Sequence, residues 1–131
     1  MNRNFHDYHR GEIYIADLDP VIGHEQSGIR PVLIMQNDVG NFYSPTVVVA
    51  PLTRRRYKKP NQPTHVLLTD VEGIDPSMVL VEQTRTLDKT RLDRFVGSIS
   101  DEQMWMVEDA IRVCLGLTNP EDPIPMDLEA P

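Results

Sequence analysis

The run Gly23-His-Glu-Gln-Ser-Gly-Ile-Arg-Pro31 sets a base, an acid, an amide, a hydroxyl and a guanidinium close together, between two apolar segments. Arg30 brings a rigid donor fork that suits two oxygens of one phosphoryl group. A guanidinium stays charged, so it stabilises negative charge and does not accept a proton. His24 adds an imidazole, a common general base near neutrality, although a lone loop histidine is more often simply exposed. Glu25, Gln26 and Ser27 complete the run, and Gln26 and Ser27 mix donors with acceptors as the reading of unstacked bases requires. They serve equally well as turn residues.

Two more stretches could complement this run. Thr53 closes Thr46-Val-Val-Val-Ala-Pro-Leu-Thr53 and is followed at once by Arg54, Arg55, Arg56, Lys58 and Lys59. Pro51 lacks a ladder donor, so an edge or a bulge is expected there, with a bend just before Thr53. The Thr53 hydroxyl can then project toward any phosphate the basic residues attract, although a strand-end Thr is usually just a β former, and the basic residues form either a solvated turn or a lid over the site. Glu82 and Gln83 interrupt the apolar Met78-Val-Leu-Val81. Consecutive polar groups there are costly unless paired or used, and a salt bridge from Glu82 to Arg85 or Arg30 would serve as well as a site role. In a regular strand they point to opposite faces, so both reach one cleft only if the strand bulges or ends.

The elements that must hold these residues are mostly strands. Spans near 11–18, 31–36, 46–52, 64–69, 78–86 and 94–99 are apolar and β-branched. Turn formers at Asn37–Asn41, Lys59–Pro63 and Asp70–Pro76 separate them, the pattern of a small antiparallel barrel. One helix follows: Ser100 caps it, Gln103 completes a capping box, and Met104, Val107, Ile111 and Cys114 or Leu115 form an apolar stripe. Gly116 is the expected stop, and Cys114 reads as core. The Pro-rich segment 118–131 has no apolar periodicity, and disorder is expected of it.

At 131 residues the chain has room for one domain. Its single cysteine excludes an internal disulfide framework, and no Cys/His cluster has zinc spacing. A metal-free, cofactor-free cytoplasmic protein is expected, since there is no signal-like start and no apolar run long enough to span a membrane. The net charge of −7 argues against gripping long nucleic acid by its backbone. Residues 119–131, however, hold four acids and no base, which leaves 16 acids and 13 bases, a net of −3, before them. A local positive field after Thr53 survives that average.

The loop Gly23–Pro31, together with Thr46–Thr53 and Met78-Val-Leu-Val-Glu-Gln-Thr-Arg-Thr86, closely resembles the MazF/PemK family of toxin endoribonucleases. The resemblance runs from Arg10 to about Leu117, leaving 1–9 as an extension and 118–131 as an acidic tail. It implies a mainly β, SH3-like antiparallel barrel with a C-terminal α-helix, acting as a homodimer. It further implies metal-independent, sequence-selective cleavage of single-stranded messenger RNA by the 2′-hydroxyl, and a cognate acidic antitoxin. Arg30 and Thr53 match the family's catalytic pair and Glu82 its active-site acid; His24 to Ser27, Arg54, Arg55, Arg56 and Gln83 would contact RNA. Where the plasmid-borne branch has a base two places before that acid, this chain has Leu80. Gyrase-poisoning toxins share the barrel without catalysis, but they use a C-terminal Trp-Gly-Ile that is missing here. A catalytically silent regulatory homologue is a third reading, against which an intact Arg30, Thr53 and Glu82 count.

Overall fold

Period-two alternation makes Glu12–Asp17 the first strand, β1, and Gly11 at φ +90° turns the chain into it. The computed structural model describes residues 7–54 and 63–118. After β1 come β2 (Ile29–Ile34), helix α1 (Asp38–Tyr43), β3 (Thr46–Thr53), β4 (His65–Leu68) and β5 (Ser77–Leu80). β6 (Arg85–Asp88), β7 (Leu92–Ser98) and helix α2 (Asp101–Cys114) complete the order. All strand pairings are antiparallel, running β4-β5-β3-β2-β1-β7 with β6 also on β3. This is the expected mainly β architecture with a C-terminal helix, its ladder left open between β4 and β7.

Both faces of the central strands are covered, which is why β2 and β3 read as continuous apolar runs and not as alternation. On one face Tyr14, Val32, Ile34, Val47 and Val49 pack together. On the other, Ile13, Leu33, Ala50 and Leu52 lie under Met104, Val107 and Ala110 of α2. Tyr8 belongs to the first cluster, its ring 4.9 Å from that of Tyr14, so the packed unit begins before Arg10.

α2 starts as its sequence dictates: Ser100 Oγ accepts from Gln103 N–H, and the Gln103 side chain accepts from Ser100 N–H. It ends with Gly116 at φ +71°, where Gly116 N–H donates to Val113 O and Leu117 N–H to Arg112 O, the paired bonds of a Schellman stop. The apolar stripe is shorter than expected. Ile111 packs at its margin, whereas Cys114 is exposed and not core.

The stretch Asn37–Asn41, expected as a turn, instead opens α1. Asn37 Oδ1 accepts from Gly40 N–H at 2.9 Å, an N-cap that turn-like composition concealed.

The expected strand 78–86 is divided. Leu52 pairs with Val79 but Val49 with Arg85, so the two residues between on β3 face five, 80–84, on the opposing segment. The surplus is extruded as the 3₁₀ turn Val81–Gln83. β3 is not an edge strand, yet Ala50 and Pro51 fall in the gap between its β6 and β5 pairings, so the proline lies where that ladder is already broken.

Candidate active site

The polar loop between β1 and β2 is tied at its base and its crown. Leu18 N–H donates to Gly28 O at 2.9 Å, and Gly28, at φ +83°, donates to Asp19 Oδ1 at 3.2 Å. Arg85 and Arg91 donate to the carbonyls of Leu18 and Asp19. Near the crown, Glu25 Oε1 accepts from Ile22 N–H, and Gln26 N–H donates to Gln83 Oε1 at 3.2 Å. The loop therefore rests on the 3₁₀ turn.

Neighbouring strand ends bring the first pair of candidates together. The pairing of β2 with β3 runs as far as Val32 with Pro51, and just beyond it stand Arg30, near the start of β2, and Thr53, at the end of β3. Both line a cavity of about 300 Å³ whose walls include Leu52, Arg54, Asp75 and Ser77. Thr53 is buried at its edge, and Arg54 makes an exposed ion pair with Asp75 at 2.9 Å.

The Arg30 fork is oriented by its own loop. Its Nε donates to Ser27 O at 2.6 Å. With the Gln26 amide oriented so that its oxygen faces the guanidinium, that oxygen lies 2.9 Å from Nε, 3.2 Å from Nη1 and 3.3 Å from Nη2. An oxygen near all three nitrogens must sit over the plane of the fork, so the in-plane Nη edge is not consumed by it. Among the described residues no other group occupies that edge. It is the edge that binds two oxygens of a phosphate.

Glu82 and Gln83 line an adjoining cavity of about 290 Å³ with Glu25, Gln26, Pro51, Thr84 and Arg85. The extruded turn places both on this cavity, which a regular strand forbids. Gln26 joins the two cavities, reaching Gln83 through its backbone and Arg30 through its side chain. The partner of Glu82 is neither Arg30 nor Arg85 but His65, whose Nε2 is 2.6 Å from Glu82 Oε2.

Of the loop candidates, Glu25 and Gln26 reach a cavity wall, Ser27 contributes its carbonyl, and His24 is exposed and lines neither cavity. Arg55, Arg56, Lys58 and Lys59 lie outside the described residues. Sequence reasoning passed over Asp75, Ser77, Thr84 and Arg85 as site walls; His65, in Pro63-Thr-His-Val-Leu-Leu68, reads from sequence as a partly buried strand residue as easily as a site member. The one available signal was a histidine heading an otherwise apolar strand. Among the described residues no group of three or more His, Cys, Asp or Glu could hold a metal ion, and no helix is long and apolar enough to cross a membrane.

Comparison with known proteins places this geometry in a family. Residues 9–115 match the PemK-like, MazF-like toxins of type II toxin–antitoxin systems. The chain is 52% identical over 110 residues to the endoribonuclease MazF of Staphylococcus saprophyticus, covering 82% of this chain and 91% of that protein. Its fold superposes on a mycobacterial endoribonuclease solved with its cognate antitoxin, with TM-score 0.72, 26% identity, and coverage of 86% of this chain and 99% of the other. MazF of Deinococcus radiodurans gives TM-score 0.73 at 26% identity, over 84% of this chain and 99% of its own. A match over nearly the whole folded region, on the strands and loop that build the two cavities, means that this chain belongs to the PemK-like, MazF-like family of type II toxins.

Proposed function

We propose that Arg30 and Thr53 form the catalytic pair of this toxin and that Glu82 completes the site. The chain is an endoribonuclease, as its family membership and its relatives' activity imply. Single-stranded RNA, in particular messenger RNA in the cytoplasm, is the substrate. The ribose 2′-hydroxyl attacks the adjacent phosphorus and the bond to the 5′-oxygen breaks, leaving a 2′,3′-cyclic phosphate and a 5′-hydroxyl. The Nη edge of Arg30 binds the phosphoryl oxygens as their charge grows, and the Thr53 hydroxyl hydrogen-bonds the same group. Glu82, in the adjoining cavity, takes the 2′-hydroxyl proton, and the departing 5′-oxygen takes a proton from solvent water. Gln26, Glu25 and Gln83 contact the flanking nucleotide, with Arg54 and the basic residues after it steering the backbone.

The toxin works with a cognate antitoxin, as the mycobacterial relative does in its complex, and as a homodimer. An acidic antitoxin segment fits a site that carries the guanidinium groups of Arg30 and Arg54.

The observation that carries the proposal is that Arg30 and Thr53 line one cavity. Incubating the protein with a long unstructured RNA in excess chelator should yield new cyclic-phosphate ends, and Thr53→Ala should abolish them while leaving the circular dichroism spectrum unchanged. Persistent cutting by Thr53→Ala would return that residue to a structural role.

A further inference from the structure

His65 heads β4, paired in register with Leu80 of β5, and its side chain is 3% exposed. Its Nε2 lies 2.6 Å from Oε2 of Glu82, whose own side chain is 34% exposed and lines the cavity beside Arg30. An ionised carboxylate only accepts, so Nε2 carries the hydrogen and donates. A separation this short belongs to a charge-assisted bond.

Resting on the ribonuclease reading, we propose that His65 is a positioning residue: its buried imidazole holds the Glu82 carboxylate in place for proton transfer. Glu82 stands on a three-residue 3₁₀ turn that has no side-chain cap, between two strands that register differently on β3. Such a turn leaves the carboxylate direction undetermined by the backbone alone. The bond from His65 comes from a different strand and supplies the missing constraint. With Oε2 engaged, Oε1 has no hydrogen-bond partner among the described residues, and it is the oxygen left to accept the ribose proton. A purely structural role would not need this chemistry, since Val66 and Leu68 of the same strand are buried by apolar packing. The in-line group is Glu82; His65 acts only through it.

The test is a double-mutant cycle on RNA cleavage with kcat and KM separated. His65→Ala should lower kcat about 10- to 100-fold, at the low end of what acid–base groups contribute, with KM changed less than about twofold. Glu82→Ala should lower kcat at least as much, and adding His65→Ala to it should cost nothing further. His65→Gln, whose amide nitrogen can stand near the position of Nε2, should recover kcat to within about threefold of wild type. If His65→Ala does not fold, His65→Leu, which keeps bulk without a donor, takes its place in the cycle. Additive losses, or failure of His65→Gln to rescue while it remains folded, would overturn the positioning role alone. Absence of cyclic-phosphate ends from the wild type would overturn the ribonuclease reading and the positioning role with it.

Discussion

Replacing Arg30 with lysine separates the positive charge from the shape of the group that carries it. In the structure Nε is held by Ser27 O at 2.6 Å, Gln26 sits over the fork, and the Nη edge alone remains for substrate. Lysine has one ammonium on a flexible stem, and it cannot both hold the loop carbonyl and span two phosphoryl oxygens. Each charge-assisted hydrogen bond is worth about 1.5–3 kcal/mol, and lysine restores roughly one of the two. The net loss is about 1.5–3 kcal/mol of transition-state stabilisation, or about 10- to 150-fold in kcat. Arg30→Ala, which loses both bonds and the charge, should fall by about 10³-fold or more. Because Arg30 lies outside both hydrophobic clusters, neither change should shift unfolding stability by more than about 1 kcal/mol. The assay is single-turnover cleavage of a long unstructured RNA, with urea unfolding of each variant alongside. Retention by Arg30→Lys of more than about a third of the wild-type rate would refute the argument from the fork, because charge alone would then suffice.

Two further predictions concern the frame around the site. Gly73 has φ +91°, and a Cβ there would lie 2.4 Å from the Val96 carbonyl oxygen. Gly73→Ala should therefore destabilise the fold by about 2–4 kcal/mol, combining the positive-φ cost with forced movement of β7, and a urea midpoint shift equivalent to less than about 0.5 kcal/mol would contradict it. Lys89 is buried, donates to Asn41 O and lies 5.7 Å from the Tyr8 ring centre, and burial pushes its pKa below the usual 10.5. Between that lowered value and 10.5 the unfolded chain binds more protons, so stability gained from this group rises with pH. Unfolding measured for wild type and Lys89→Met across the alkaline range should show the wild type gaining on the variant as pH climbs; a flat or falling difference would count against the buried, desolvated amine.

Much of this protein was determined by local sequence. The apolar runs at β1, β2 and β3, the capping box at Ser100 and the stop at Gly116 follow from backbone periodicity and hydrogen-bond needs that operate within a few residues. The polar loop at Gly23–Pro31 also stood out, because its composition contrasts with its apolar flanks. Local rules misread α1, whose Asn, Asp and Gly residues suit a turn as well as a capped helical turn, and they overextended the α2 stripe to Cys114, which is exposed. Only tertiary structure decided that Arg30 and Thr53 line one cavity, that Glu82 and Gln83 share another, and that His65 holds the Glu82 carboxylate. Each of these depends on register between strands remote in sequence. Register is set when both apolar faces of the sheet must be buried at once, and no single strand carries that condition.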